Sequence, residues 1–344
     1  MNSHTLTVAI PTYNRFALLC KSISRLIPKL TDEVGLLVID NASTDETVNL
    51  RTWIRENFPD ARIQVVRNNA NIGASANVAR CIEYCETEWV WTLGDDDDVS
   101  EDAIAKVLQC IKNNPSATHI NMQSTLIPLD SRRQAGTDVL IESTIDLGEK
   151  LDFMTNFLLC SAGVHRTDVA HAVLSKAYSS LSSAAPQLAI VFASLELGIG
   201  KVVLCGDTVI THKFAEGQRW GSEVWLAVAD VFTLIRDQQV RGKLLSMYIN
   251  EHWTPVNTNE LRAELLPLLL QGLTRSMSLS DYLYLWSKRI QFSRRPGLLL
   301  AKFLVDTLVL ALAMCVSPIL TKAYSPKLGP TNTFLRTRLD GRGA

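Results

Sequence analysis

Trp89-Val90-Trp91-Thr92-Leu93-Gly94-Asp95-Asp96-Asp97-Asp98 is a short apolar run that ends in four consecutive carboxylates. The apolar half has the length and two-sided hydrophobicity of a buried strand. The acidic half forms an oxygen-only cluster at the strand's exit. Hard divalent cations such as Mg²⁺ or Mn²⁺ take such ligands, and nucleotide phosphates complete the shell. A run of like charge is more ordinarily a solvated turn, so the flanking sequence has to decide between the two.

Upstream, the chain reads as strand–helix repeats. Leu6, Val8 and Ile10 alternate with small or polar residues and stop at Pro11. Leu18, Leu19, Ile23, Leu26, Ile27 and Leu30 then keep a helical period. Leu36-Leu37-Val38-Ile39 is a second apolar run and leads into Asp40-Asn41-Ala42-Ser43-Thr44-Asp45. Ligands in open α/β sheets bind beyond the carboxyl ends of the strands. The loops Pro11 to Arg15, Asp40 to Asp45 and Asp95 to Asp98 all fall there, so they are expected to converge on one crevice. Asn77 and Arg80 lie on the helix before the acidic strand, where an exposed polar face is the ordinary reading. Beyond the acidic run, Ile104, Val107, Leu108 and Ile111 predict a helix ending near Asn113 and a strand over Thr118 to Ser124. Residues 125–146 read as a long loop or irregular hairpin near the acceptor side.

Four segments in order, Ala9-Ile10-Pro11-Thr12-Tyr13-Asn14-Arg15, Val38-Ile39-Asp40-Asn41-Ala42-Ser43-Thr44-Asp45, Asn71-Ile72-Gly73-Ala74-Ser75-Ala76-Asn77 and Leu93-Gly94-Asp95-Asp96-Asp97, resemble the signature of the family-2 glycosyltransferases. The resemblance covers residues 5 to 115. The Trp-x-Leu-Gly-Asp-Asp-Asp form is similar to a subgroup that includes O-antigen abequosyltransferases and related deoxysugar transferases. The resemblance implies an α/β GT-A fold, Rossmann-like with a mostly parallel sheet, that moves a sugar from a nucleoside diphosphate to an acceptor hydroxyl with inversion. Carried over by position, Thr12, Tyr13 and Asp40 hold the nucleobase and Asp95 faces the ribose, while Pro11, Arg15, Asn71 and Asn77 complete the nucleotide-binding set. Asp96 and Asp97 serve the divalent cation. Gly94 stands where many members have the first aspartate of the motif, and Asp98 is read as a solvated neighbour.

The chemistry asks independently for these residue types. A departing nucleoside diphosphate develops negative charge, which a carboxylate-bound cation offsets as a Lewis acid. The cations nearby in sequence are few: Arg15, Arg67 and Arg80. The general base is harder to place. Relatives carry an acid near the start of the helix before the last core strand, but this chain has Gln187 in Ala185-Pro186-Gln187-Leu188-Ala189. An amide takes no proton at neutral pH. His212, His165, Asp168 and Asp207 are the remaining candidates, and geometry has to choose among them.

The chain has 344 residues and a net charge of −1, so bulk electrostatics give no reason to expect nucleic acid as a partner. Seven scattered cysteines, with no second pair to complement Cys81-x-x-x-Cys85, read as thiols in a reducing compartment. The first strand starts by residue 5, which leaves no signal peptide to expect and implies a cytoplasmic catalytic half. The organisation read from sequence is a nucleotide-sugar half over 1–115, an acceptor half over 116–215 and a helical C-terminal region over 216–344. Helices are predicted at Val224 to Val240, Leu244 to His252, Asn259 to Thr274 and Ser280 to Phe292. Trp220, Trp225, Trp253 and Trp286 there are read mainly as core, with Trp220 the best sugar-stacking exception.

The nineteen residues Leu298 to Val316 are nearly long enough to span a bilayer, but Lys302 and Asp306 offset the gain of their apolar neighbours. Both fall on one helix face, with Lys288, Arg289, Arg294 and Arg295 before and Lys322, Lys327, Arg336 and Arg338 after. That pattern suits a helix lying on an anionic surface, here the cytoplasmic face of the inner membrane, and the alternative is a buried helix of a soluble domain or dimer interface. The function expected is a metal-dependent transferase for a lipid-linked saccharide. Competing readings are a non-catalytic nucleotide-sugar-binding protein and a sugar nucleotidyltransferase, although the latter expects a Gly-rich basic loop where Pro11-Thr12-Tyr13-Asn14-Arg15 stands.

Overall fold

The computed structural model describes residues 4–61, 63–212 and 227–253, together with Ser287, Gly297, Leu300 and Leu304. Among the described residues nine strands form one sheet: β1 (Leu6–Thr12), β2 (Val34–Asp40), β3 (Ile63–Arg67), β4 (Trp89–Thr92), β5 (Asp98–Val99), β6 (His119–Ser124), β7 (Val139–Ile141), β8 (Gly163–Arg166) and β9 (Val202–Thr211). Their order is β3-β2-β1-β4-β8-β6-β9-β5, with β7 also paired to β9. Strands β1 to β4 run parallel, as does β6 with β9. Strand β8 is inserted antiparallel between β4 and β6. The fold is therefore α/β and mostly parallel, as the strand–helix repeat predicts, with one reversed strand at its centre.

Period-two alternation sorts the side chains between two faces. Leu6, Val8, Ile10, Trp89 and Trp91 pack against helices α1 (Phe16–Leu26), α2 (Leu50–Asn57) and α4 (Ala103–Asn113). Ala9, Leu37, Ile39 and Val90 face α3 (Ala74–Glu83) and the later helices α7 (Thr167–Ala172), α8 (Leu174–Ser179) and α9 (Pro186–Glu196). Helix α9 is buried from Pro186 to Leu195 and apolar nearly all round, as a helix enclosed on every side must be. Trp89 and Trp91 are both fully buried along β4, and Trp91 Nε1 donates to the Ser161 carbonyl at 2.7 Å near the strand's exit. Truncating either costs about 3–5 kcal/mol, so the turn rests on rigid packing.

The acceptor-side expectations are met unevenly. Residues 125–146 contribute β7, which pairs with Val202–Leu204 at the start of β9, and then α5 (Thr144–Lys150), with α6 (Met154–Leu158) following. The single helix predicted over Val224 to Val240 is broken. A 3₁₀ segment covers Ala229–Leu234, and α10 (Gln238–Trp253) starts afresh. The cause is Asp237, whose Oδ1 accepts the N–H groups of Gln239 and Val240 at 2.7 and 3.0 Å and so caps a new helix. Rings of Phe157, Phe192, Phe232 and Tyr248 then stack in succession at centroid spacings of 6.5, 5.7 and 5.8 Å. Glu251 accepts the N–H groups of Met154 and Thr155 at 2.8 and 2.6 Å, closing the exposed start of α6.

Residues 227–251 thus belong to the same compact unit as the α/β core. The second unit comprises Gly221–Glu223 and His252–Ala344. The helices expected over 259–274 and 280–292, the side chains of Trp220, Trp225, Trp253 and Trp286, and nearly all of 298–316 lie outside the described residues. Leu300 and Leu304 are described and are 47% and 60% exposed. Among the described residues, no helix is long and apolar enough to cross a membrane.

Candidate active site

The register of the sheet brings the predicted loops together. The β1–β2 ladder ends at Thr12 and Asp40, and β4 leaves the sheet beside Ala9 at Thr92, so the loops after all three strands open at the same end. Two non-glycine residues there take left-handed backbone: Asn14 at φ 52° and Ala42 at φ 60°. Asn14 is suited to it, and its Oδ1 accepts the N–H of Thr44 at 2.7 Å. Alanine has no such compensation and costs about 1 kcal/mol, strain of the kind that persists where surrounding contacts over-determine a loop.

Asp95 is held between the first loop and its own turn. Thr12 Oγ1 donates to Asp95 Oδ2 at 2.8 Å, and Arg15 Nη1 donates to Asp95 Oδ1 and Asp96 Oδ2, each at 2.8 Å. Burial pushes the Asp95 carboxyl above its ordinary range, against the pull of Arg15 and Thr12. Burial would lower Arg15, but Asp95 and Asp96 outweigh it and hold the guanidinium above its usual value. Both oxygens of Asp95 accept hydrogen bonds, which is the geometry of a carboxylate.

Asp97 is clamped from the other half of the chain. Ser161 Oγ donates to its Oδ2 and accepts the N–H of Gly94 at 2.9 Å. His212 Nδ1 lies 2.9 Å from Asp97 Oδ1. The hydrogen bond to Asp97 raises the His212 pKa, which partial burial opposes. Topology explains both partners. Because β8 runs antiparallel to β4, the turn preceding it, Cys160–Ala162, arrives at the carboxyl end of β4. Because β5 pairs Asp98 with Thr211, the next residue, His212, falls beside Asp97. A Cβ at Gly94 would stand 3.0 Å from Asp97 Oδ2 and 3.3 Å from Ser161 Oγ, so a side chain there requires these polar ends to give by a few tenths of an ångström.

Asp40 is buried at the end of β2, ion-paired to Arg67 and accepting the N–H of Ser43 at 2.9 Å. Behind it lies an asparagine network. Asn68 Nδ2 donates to Asn41 Oδ1 and Asn77 Oδ1 at 2.9 Å, Asn41 Nδ2 to Asn71 Oδ1 at 2.8 Å, and Asn77 Nδ2 to the Ile39 carbonyl at 3.0 Å. Asn77 is thus buried among amides rather than on an exposed face, and its contacts and those of Asn71 support the loops. Tyr13 is exposed and Pro11 half-buried at the rim. Asp98 is paired with Arg25 and is not merely solvated.

Of the four base candidates, the structure brings one to the acidic turn. His165 pairs across the ladder with His119 at mid-sheet, with the two Nδ1 atoms 3.2 Å apart, and burial lowers its pKa to about 4. Asp168 is tied to Arg166, whose strand partner Trp89 begins β4, which puts it at the opposite end of the sheet. Asp207 lies on β9 beside Cys205, 4.0 Å from Lys106. Gln187 is buried and donates Nε2 to the Leu158 carbonyl at 2.7 Å, bracing the segment that carries Ser161. Ser161, Asn41 and Asn68 were not singled out by sequence. The asparagines sit in visible loop segments, but nothing local marks Ser161.

The donor set is hard: carboxylates of Asp96 and Asp97 with an imidazole adjoining, suited to a divalent cation of the Mg²⁺ or Mn²⁺ type. Arg15, Arg67 and Arg80 are each already paired with a carboxylate, namely Asp95 and Asp96, Asp40, and Glu83.

Residues 7–155 match the family model described as Glycosyl transferase family 2. An uncharacterized glycosyltransferase of Haemophilus influenzae is 27% identical over 115 residues, 33% of this chain and 37% of its own length. A Campylobacter jejuni protein named GalNAc(5)-diNAcBac-PP-undecaprenol beta-1,3-glucosyltransferase is 28% identical over 116 residues, 33% of this chain and 36% of its own. The chain thus spans about a third of the length of these curated relatives. Among solved structures, S. aureus TarS 1-349 in complex with UDP-GlcNAc is similar at TM-score 0.54 and 14% identity, covering 84% of this chain and 89% of that one. The complex of TarS 1-349 with UDP gives TM-score 0.52 at 15% identity, covering 86% of each chain. The fold is GT-A, and residues 7–155 are similar to the family-2 glycosyltransferases.

Proposed function

We propose that the protein transfers a sugar from a nucleoside-diphosphate sugar to a hydroxyl of a saccharide acceptor, with a divalent cation held by Asp96 and Asp97. The observation that carries this reading is the acidic turn itself: four carboxylates at the carboxyl end of β4, opening beside Thr12 and Asp40. The nucleoside is placed against Pro11, Thr12, Tyr13 and Asp40, braced by Asn71 and Asn77, with its ribose toward Asp95 and Arg15. Ser161 and His212 fix both oxygens of Asp97. The bound cation supplies Lewis-acid stabilisation of the leaving diphosphate. Arginines already committed to carboxylates are poorly placed to do this alone, which supports metal dependence.

The acceptor is read as a lipid-linked saccharide of surface-glycan or O-antigen assembly, and the transfer as inverting. The C. jejuni relative's named acceptor supports a lipid carrier, and exposed Leu300 and Leu304 in a segment flanked by basic residues support attachment to the inner-membrane surface. A hexose or deoxyhexose is the donor sugar. One observation favours a second reading, a nucleotide-sugar-binding protein without turnover: Gln187 replaces the expected acid, and its amide is spent on the Leu158 carbonyl.

The test is thermal shift of the full chain with UDP, GDP, CDP and dTDP, each with and without Mn²⁺, followed by product analysis with the matching nucleotide sugars. One nucleotide is expected to stabilise strongly and only with Mn²⁺. A ligand at about 100 times its Kd adds about 2.7 kcal/mol. No stabilisation by any of the four sinks both readings. Stabilisation without hydrolysis or transfer selects the binding protein.

A further inference from the structure

Away from the acidic turn, a second cluster joins three elements distant in sequence. Cys110 lies in the last turn of α4, Cys205 in the middle of β9, and Asp138 in the turn entering β7. Their ligand atoms all lie within 4.8 Å of one another, and both thiols are buried. Cys110 Sγ is 3.7 Å from Asp138 Oδ2. A tetrahedral zinc ion with Zn–S of about 2.3 Å and Zn–O of about 2.0 Å sets its sulfur and oxygen ligands about 3.5 Å apart. The spacing found is close to that edge.

The carboxylate is oriented as a ligand's would be. Asp138 Oδ1 accepts the N–H of Gly206 at 3.0 Å and Oδ2 accepts Asn114 Nδ2 at 3.0 Å, an outer shell of the kind that fixes metal-ligating carboxylates. The backbone is shaped to allow it. A Cβ at Gly206 would lie 2.1 Å from the Gln134 carbonyl oxygen, so only glycine lets the 134–137 turn press onto β9 and deliver Asp138 to Cys205. Asp207 Oδ2 lies 4.0 Å from Cys205 Sγ, and the fourth position is left to water.

We propose that Cys110, Cys205 and Asp138 form a structural site for a thiophilic divalent cation of the zinc class, independent of the acidic turn. Binding releases the two thiol protons as the thiolates form. It ties the end of α4 to β9 and to the β7 turn. Soft thiolates select against Mg²⁺ and Mn²⁺, so the two sites do not compete for the same ions. Sequence spacing could not reveal it, because the cysteines are isolated in the chain and meet only through the α4–β9 packing.

The test uses the full chain, metal-stripped under reductant and titrated with Co²⁺ alone as a spectroscopic stand-in for zinc. One equivalent is expected to give thiolate-to-cobalt charge-transfer absorption that Zn²⁺ abolishes and excess Mn²⁺ does not. Cys110→Ser and Cys205→Ser should each lose the band, and Asp138→Asn should weaken Co²⁺ binding at least about tenfold. The double variant Asp96→Asn, Asp97→Asn should keep the band. Absence of a band in the reduced wild-type protein overturns the proposal. So does a band that survives both cysteine substitutions, or a Cys110–Cys205 disulfide whose reduced form takes up no cobalt. Should a cysteine variant fail to fold, the wild-type titration and Asp138→Asn still decide.

Discussion

His165, within β8, and His212, just past the end of β9, are pushed in opposite directions. His212 follows the last residue of β9 and meets Asp97 at the open end, where the hydrogen bond to that carboxylate raises its pKa. His165 is enclosed at mid-sheet against His119, where burial lowers its pKa to about 4. The same side chain is a polar contact of the candidate site in one place and a neutral core residue in the other. What separates them is distance from the carboxyl ends of the parallel strands, where loops can leave carboxylates partly desolvated without sealing them in. If chemistry resides at the sheet's end and stability in its middle, each half can be attacked separately.

The largest effect is expected at the acidic turn. Asp97→Asn and Asp96→Asn should each cost on the order of 10²-fold or more in kcat, because they weaken stabilisation of the leaving diphosphate. Circular dichroism and thermal midpoint should change little. Sugar transfer measured at saturating Mn²⁺ checks this, and near-normal turnover in both variants would remove the acidic turn from the mechanism. Next come the clamps: Ser161→Ala and His212→Gln should each weaken apparent Mn²⁺ affinity about 10–100-fold, as loss of outer contacts to a metal ligand does. Unchanged Mn²⁺ dependence in both would mean that Asp97 is not held for a metal.

The mid-sheet pair is expected to show itself in stability alone. Its two Nε2 atoms are buried without a hydrogen-bond partner, so protonation on acidification has nothing to offset it. The folded His165 pKa of about 4 lies below the ordinary 6.5, so the unfolded chain binds more protons between those values. The contribution is therefore intact above about pH 6.5 and lost as pH falls toward 4, by up to about 3 kcal/mol for His165 at 1.36 kcal/mol per unit. Urea unfolding from pH 7 to 4.5 measures it. His165→Gln should flatten the slope while leaving neutral-pH Mn²⁺ binding unaltered, and an unchanged slope would show that the pair is hydrated.

How much of this was legible in the chain depends on whether the determinant is local. The parallel half was readable because Leu6, Val8, Ile10 and the run Leu36 to Ile39 declare their strands, and each strand's polar exit declares a loop. Asp95, Asp96 and Asp97 were visible as a charge run after such a strand. Ser161 was not, because it reaches Asp97 only through the antiparallel insertion of β8. The break before α10 is hidden for a different reason: the apolar pattern continues through Val240, and a single capping aspartate, Asp237, interrupts it. Tertiary pairing decides the first case and backbone capping the second, and hydrophobic periodicity reports neither.

The smallest effect is predicted one residue along the same acidic run, and it tests the register of the site most finely. Asp98 begins β5, and its backbone pairs with Thr211, so main-chain geometry rather than the carboxylate holds it in place. Its side chain meets Arg25, which is 46% exposed, and a pair so open to solvent contributes about 0–1 kcal/mol. Asp98→Asn should therefore change kcat by less than about threefold and move stability by no more than about 1 kcal/mol. Moderate salt should reduce the stability difference further, since it screens the exposed partner. Kinetics and urea unfolding on Asp98→Asn beside Asp97→Asn would give the ratio directly. A loss for Asp98→Asn as large as that for Asp97→Asn would shift the functional pair one residue toward the carboxyl terminus and make the contacts of Ser161 and His212 with Asp97 structural.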